Sequence, residues 1–123
     1  MREILFRGKR IDNGEWVEGF YNHLPCGRFG ADEHMIQTVL ENGKIGMLHD
    51  IYPYTVGQYT GLKDKNGKRI FEGDILSIWN ESHDVVVFED GAFDLENTSI
   101  PIRFANKFEV IGNITDNPEL LEK

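Results

Sequence analysis

A chain of 123 residues is about one domain, long enough to bury a core without disulfide or metal staples. Its 40% hydrophobic and 28% charged residues match an ordinary globular protein and argue against a wholly disordered chain or a membrane protein. With 13 Lys plus Arg against 21 Asp plus Glu the formal charge is -8, which disfavours nonspecific nucleic-acid binding and suits basic partners.

The N-terminal stretch MREILFRGKR places charges at Arg2, Glu3 and Arg7, where a secretory signal needs an unbroken apolar run of about 7 to 15 residues. Cys26 has no second cysteine to pair with, so a reducing compartment is the simpler reading. No stretch approaches the roughly 18 apolar residues of a membrane span. The expectation is a cytoplasmic protein with no membrane association.

In chain order the apolar and β-branched segments EILF, EWVEGFY, IQTVL, IGML, TVGQYT, RIF, DILSIW, VVVFE, IPIRF and FEVIGNI read as short strands. Asn13-Gly14, Asn42-Gly43, Asn66-Gly67 and Asp90-Gly91 punctuate them as hairpin signals of the type I′ kind, in which both central residues need positive φ. Ile100, Ile102 and Phe104 alternate onto one face of a strand, and Phe108, Val110 and Ile114 onto one face of the next. VVVF is uniformly apolar and suits a central strand. Pro101 offers no N–H and marks an edge or a strand start. Residues 22–34 carry Pro25, Gly27 and Gly30 without a period and read as a loop. One short C-terminal helix is expected, with Asn117 as cap, Pro118 at the first helical position and Glu119 at the positive end of the dipole. The predicted fold is therefore mainly β, a single antiparallel domain over 1–123. It is barrel-like or a meander, with a possible SH3-like element at Glu72-Gly73-Asp74.

Several clusters carry candidate chemistry. His23, Cys26, Asp32 and His34 fall within one expected loop, with the His-x2-Cys spacing of half a zinc site. No second half follows, and a polar surface loop accounts for the same residues. A thiol activated by a neighbouring histidine is the other reading of Cys26, against that of an inert buried cysteine. Asp64, Asn66, Glu72 and Asp74 could hold a hard cation, but Gly67 falls at the wrong position for a calcium loop, and the Gly61, Gly67, Gly73 spacing lacks a P-loop's Gly-Lys-Ser/Thr ending. The structural account is a turn at Asn66-Gly67, a bend at Gly73, and backbone hydrogen bonding by Asp74. Tyr52, Tyr54, Tyr59 and Trp79 are candidates for a protein interface. Base stacking normally comes with cations, and none lies between His49 and Gly61.

REILFRGKR at the start, QYTGLKDKNGKRIFEGDIL in the middle and FEVIGNITDNPELLEK at the end resemble, in that order, the YopX family of small phage and prophage proteins. The resemblance implies a phage or prophage protein acting inside a bacterial host, with a predominantly β fold, and it brings no family catalytic residues. With no complete reaction constellation and no cofactor implied, the expected function is a noncatalytic accessory module that binds a host or phage protein and self-associates. The alternative is a nucleic-acid-associated factor or a DNA-mimicking inhibitor. That would require Arg2, Arg7, Lys9 and Arg10 to share a surface with Lys65, Lys68 and Arg69, or the acidic surface to imitate DNA.

Overall fold

All four Gly-containing hairpin signals sit at strand connections in the computed structural model, which describes residues 4–27 and 30–121. Ten strands follow: β1 (Phe6–Lys9), β2 (Trp16–Leu24), β3 (Glu33–Val39), β4 (Ile45–Asp50), β5 (Gly57–Lys63), β6 (Arg69–Phe71), β7 (Asp74–Ile78), β8 (Ser82–Glu89), β9 (Ala92–Leu95) and β10 (Glu109–Asn113). Arg2, Glu3, Glu122 and Lys123, which the sequence reading used, lie outside the described residues.

The turn types differ from the expected type I′. Only at Asp90-Gly91, with φ of 52° and 81°, do both central residues take positive φ. At the three Asn-Gly turns the glycine alone does. The Gly43 and Gly67 N–H groups donate to the carbonyls of Leu40 and Asp64, three residues back, as in a type I turn followed by a left-handed glycine. Asn is suited to this setting because its own side chain accepts an N–H two residues on: Asn13 Oδ1 takes the Glu15 N–H at 2.9 Å and Asn42 Oδ1 takes that of Lys44 at 3.0 Å. A further pair, Trp79 at φ 49° and Asn80 at φ 60°, forms the β7–β8 turn, with the Glu81 N–H donating to the Ile78 carbonyl.

The chain divides into two compact units between Gln58 and Tyr59. In the first, strands run in the order β4-β3-β2-β1, all antiparallel, and the start of β5 pairs with β1 through Gly57 and Gln58. Among its described residues, Met35, Ile36 and Ile51 are the buried apolar ones. Gly19 lies opposite Thr38, where the β3 backbone passes so close that an added Cβ would collide with the Gln37 carbonyl.

In the second unit the rest of β5 pairs with β6, and a sheet of order β10-β7-β8-β9 carries the core. Ile70, Leu76, Ile78, Val86, Leu95, Ala105, Phe108 and Val110 form one buried cluster. VVVF occupies β8, between β7 and β9, as a central strand should. Three buried carboxylates organise the connections by accepting backbone N–H groups. Asp64 Oδ1 takes those of Asn66 (2.8 Å) and Lys68 (2.9 Å), and its Oδ2 takes that of Val110 (3.0 Å), tying the β5–β6 turn to β10. Asp74 Oδ2 accepts from Phe71 across the Glu72-Gly73 corner at 2.8 Å. Asp84 accepts from Val85, Asn97 and Thr98, holding the segment after β9 against β8.

Four further expectations are corrected. IPIRF is no strand: Pro101 precedes a 3-10 helix, Ile102–Lys107, so Ile100, Ile102 and Phe104 do not alternate on a sheet face. β10 shifts register between Val110 and Gly112, and the extra residue breaks the alternation that would have buried Ile114, which is 47% exposed. The C-terminal helix is a single 3-10 turn, Pro118–Leu121. The described strands form two antiparallel sheets, and no barrel closes.

Candidate functional site

The expected loop at 22–34 is strand at both ends. β2 continues through Leu24 and β3 begins at Glu33, so residues 25–32 alone make the connection, with Cys26 at φ 53°. Extending both strands makes His23 and His34 direct cross-strand partners. Their imidazoles stack at 4.3 Å between centroids with an 8° interplanar angle. Asp32, one residue before β3, points back: its Oδ2 lies 3.2 Å from His23 Nε2, and its Oδ1 accepts the Cys26 N–H at 3.3 Å. The bond from His23, then that from the Cys26 backbone, hold the Asp32 carboxyl below the usual carboxylate range. On the other side of His34, the Tyr21 hydroxyl lies 2.5 Å from Nδ1, and burial pushes the Tyr21 phenol above its ordinary pKa.

One ligand atom each from His23, Asp32 and His34 lies within 4.8 Å of the others, so the structure gathers three of the four loop residues singled out in the sequence. Cys26 contributes its backbone N–H; its thiol is exposed. Two imidazoles and one carboxylate make a donor set suited to a borderline divalent cation.

Asp32 and His34 also line a cleft of about 510 Å³ within the first unit. Its walls are the β1–β2 turn (Arg10, Ile11, Asp12), the start of β3, Pro53, and β4 from Met47 to Asp50. Among the described residues the lining includes the carboxylates of Asp12, Asp32, Glu33 and Asp50 and the guanidinium of Arg10. That cation is already committed to Asp12, with N–O distances of 2.9 and 2.6 Å. β4 is the outermost strand of this unit's sheet and has apolar residues exposed on both faces: Ile45 59%, Met47 73% and Leu48 50%. At its end, the Ile11 N–H donates to the Asp50 carbonyl at 3.0 Å and closes one corner of the cleft. Sequence reading identified IGML as a strand and missed the cleft. The available signal was IGML itself, four residues without a polar side chain where a half-solvated edge strand ordinarily alternates.

The aromatic candidates do not form one group. Tyr52 and Tyr54 lie together with ring centroids 5.6 Å apart, and Tyr54 is exposed. Tyr59 is buried in the second unit against Phe71, with the Arg69 guanidinium 5.8 Å from its ring centroid, and is therefore a core residue. Trp79 is exposed in its turn and meets Phe108 edge-on at 5.2 Å. Among the basic residues, Arg7 is buried with its guanidinium over the Trp16 ring, which removes it from any phosphate-facing surface.

Residues 5–122 match the family model for YopX protein. The chain belongs to the YopX family. Among solved structures, this YopX-family chain is similar to protein EF1440 from Enterococcus faecalis. The two share 28% identity with a TM-score of 0.65, over 99% of this chain and 100% of that one. No curated protein matches it. Neither the family's name nor that of EF1440 carries an activity.

Proposed function

We propose that this protein is a noncatalytic binding module of phage or prophage origin that acts in the bacterial cytoplasm, and that its cleft takes an extended, basic segment of a partner protein. The observation that carries this reading is the pairing of an open apolar edge strand, β4, with an acidic cleft beside it. An unpaired strand edge supplies backbone donors and acceptors for an added strand, and the alternating pockets along it select side chains. Natural edge strands are usually blunted by charge, proline or a covering element. β4 instead offers Ile45, Met47 and Leu48, and the chain's formal charge of -8 favours cationic residues in an added strand. A phage origin is supported by the family, and an interior location by the lone cysteine.

Selection of the intact protein against a random decapeptide library tests the reading. Enrichment of Lys or Arg alternating with aliphatic residues is expected, lost when selection is repeated with Leu48→Arg. Enrichment of acidic sequences, or of none, would overturn it. Self-association through β4 would compete with such peptides and would appear as a concentration-dependent mass in light scattering.

A further inference from the structure

We infer that His23, Asp32 and His34 form a binding site for a single borderline divalent transition-metal ion, with zinc the first choice. The inference stands on the β2–β3 hairpin alone and does not depend on what occupies the cleft.

Three observations support it. The first is convergence. Direct cross-strand pairing puts the two imidazoles side by side, and Asp32 reaches back to complete a set whose donor atoms lie within 4.8 Å of one another. Tetrahedral zinc with nitrogen and oxygen ligands at about 2.0–2.2 Å needs donors about 3.3 Å apart, so the set has to contract by up to about 1.5 Å. The second is the support around the donors. The Cys26 N–H orients Asp32, and the Tyr21 hydroxyl engages Nδ1 of His34, leaving Nε2 for the ion. A ligating histidine needs a partner for its other ring nitrogen. Tyr21 fits that need because its hydroxyl donates to an unprotonated Nδ1 and accepts from a protonated one. The third is chemistry. Two neutral imidazoles and a carboxylate suit zinc, cobalt, nickel or copper(II), whereas magnesium and calcium require oxygen-rich shells.

The stacked rings also define what binding must change. A metal lies close to the plane of each imidazole it binds, and two rings 8° from parallel at 4.3 Å cannot both point in-plane at one ion. His23, with 41% of its side chain exposed, is the ring free to turn, and its bond to Asp32 at 3.2 Å gives way to shared coordination. Binding is therefore coupled to unstacking of His23 from His34. Three protein donors leave a fourth position for water or another ligand.

Calorimetric titration of the untagged full chain with zinc should give one ion per chain, and magnesium or calcium should give no heat. His23→Ala, Asp32→Asn and His34→Ala should each weaken binding at least tenfold, while His49→Ala, His83→Ala and Cys26→Ser leave it within twofold. Nitrogen NMR of the histidines should show zinc moving Nε2 of His34 while Nδ1 stays protonated. Absence of binding at 100-fold excess zinc over protein, or equal loss in His49→Ala or Cys26→Ser, would overturn the assignment. Circular dichroism of His23→Ala and Asp32→Asn, both exposed, separates a lost ligand from a lost fold.

Discussion

Replacing Asp64 with asparagine isolates one buried carboxylate that joins two distant pieces of the second unit. Its Oδ1 holds the Asn66 and Lys68 N–H groups, and its Oδ2 holds that of Val110, 46 residues away. The turn N–H groups are near solvent and water can replace the lost acceptor; the Val110 N–H is buried and cannot be rescued that way. An amide keeps one acceptor and turns an NH2 toward the other donor site, so the cost is one charge-assisted bond plus weakening of the rest, about 2–3 kcal/mol. Burial opposes the Asp64 charge, but the N–H bonds from Val110, Lys68 and Asn66, with the nearby Lys68 charge, outweigh it and hold the carboxyl below its ordinary value. A lowered folded pKa means that the stabilisation is complete above the unfolded value, near 4, and declines as pH falls through the folded value. Urea unfolding read by Trp79 fluorescence, in a Trp16→Phe background so that only the second unit reports, should show the full difference from pH 7 to 5 and a shrinking one below pH 4. A difference under about 0.5 kcal/mol, or one that stays constant to pH 2, would refute the reasoning.

Three other outcomes are expected. Gly19→Ala drives a Cβ into the Gln37 carbonyl, a backbone atom, and should cost about 1–3 kcal/mol by thermal unfolding of the first unit. Asp84→Ala strands the N–H groups of Val85, Asn97 and Thr98 and should destabilise by about 3 kcal/mol in urea, with faster amide exchange at Asn97 and Thr98. Phe108→Ala leaves a cavity in the buried cluster of the second unit and should cost about 3–5 kcal/mol by the same measurement.

Much of the fold was legible because its signals are local. Asn-Gly and Asp-Gly placed four strand connections, and the uniform VVVF run placed a central strand. What failed were features set by distant residues. IPIRF alternates like a strand, yet its backbone is folded into a 3-10 helix whose Ala105 joins the buried cluster. Ile114 was misassigned because a bulge at Val110–Gly112 is a register event, visible only against β7. At the site, proximity in sequence suggested His23, Cys26, Asp32 and His34 but not their arrangement. Glycine and proline mark the connection itself, and only the extension of β2 and β3 into both ends of the segment puts the histidines in register. The cleft was illegible because Asp12 and Asp50 meet only through pairing of distant strands.

The account rests on β4 being a binding edge, and the most direct measurement is the affinity of a selected peptide for wild type and for Leu48→Arg, by fluorescence anisotropy. Burying a leucine contributes about 1.5–3 kcal/mol, which corresponds to roughly 10- to 100-fold in affinity. A loss of at least tenfold, with unchanged circular dichroism and with wild-type binding that weakens as salt is raised, is the predicted result. Affinity retained within twofold in the arginine variant would contradict it.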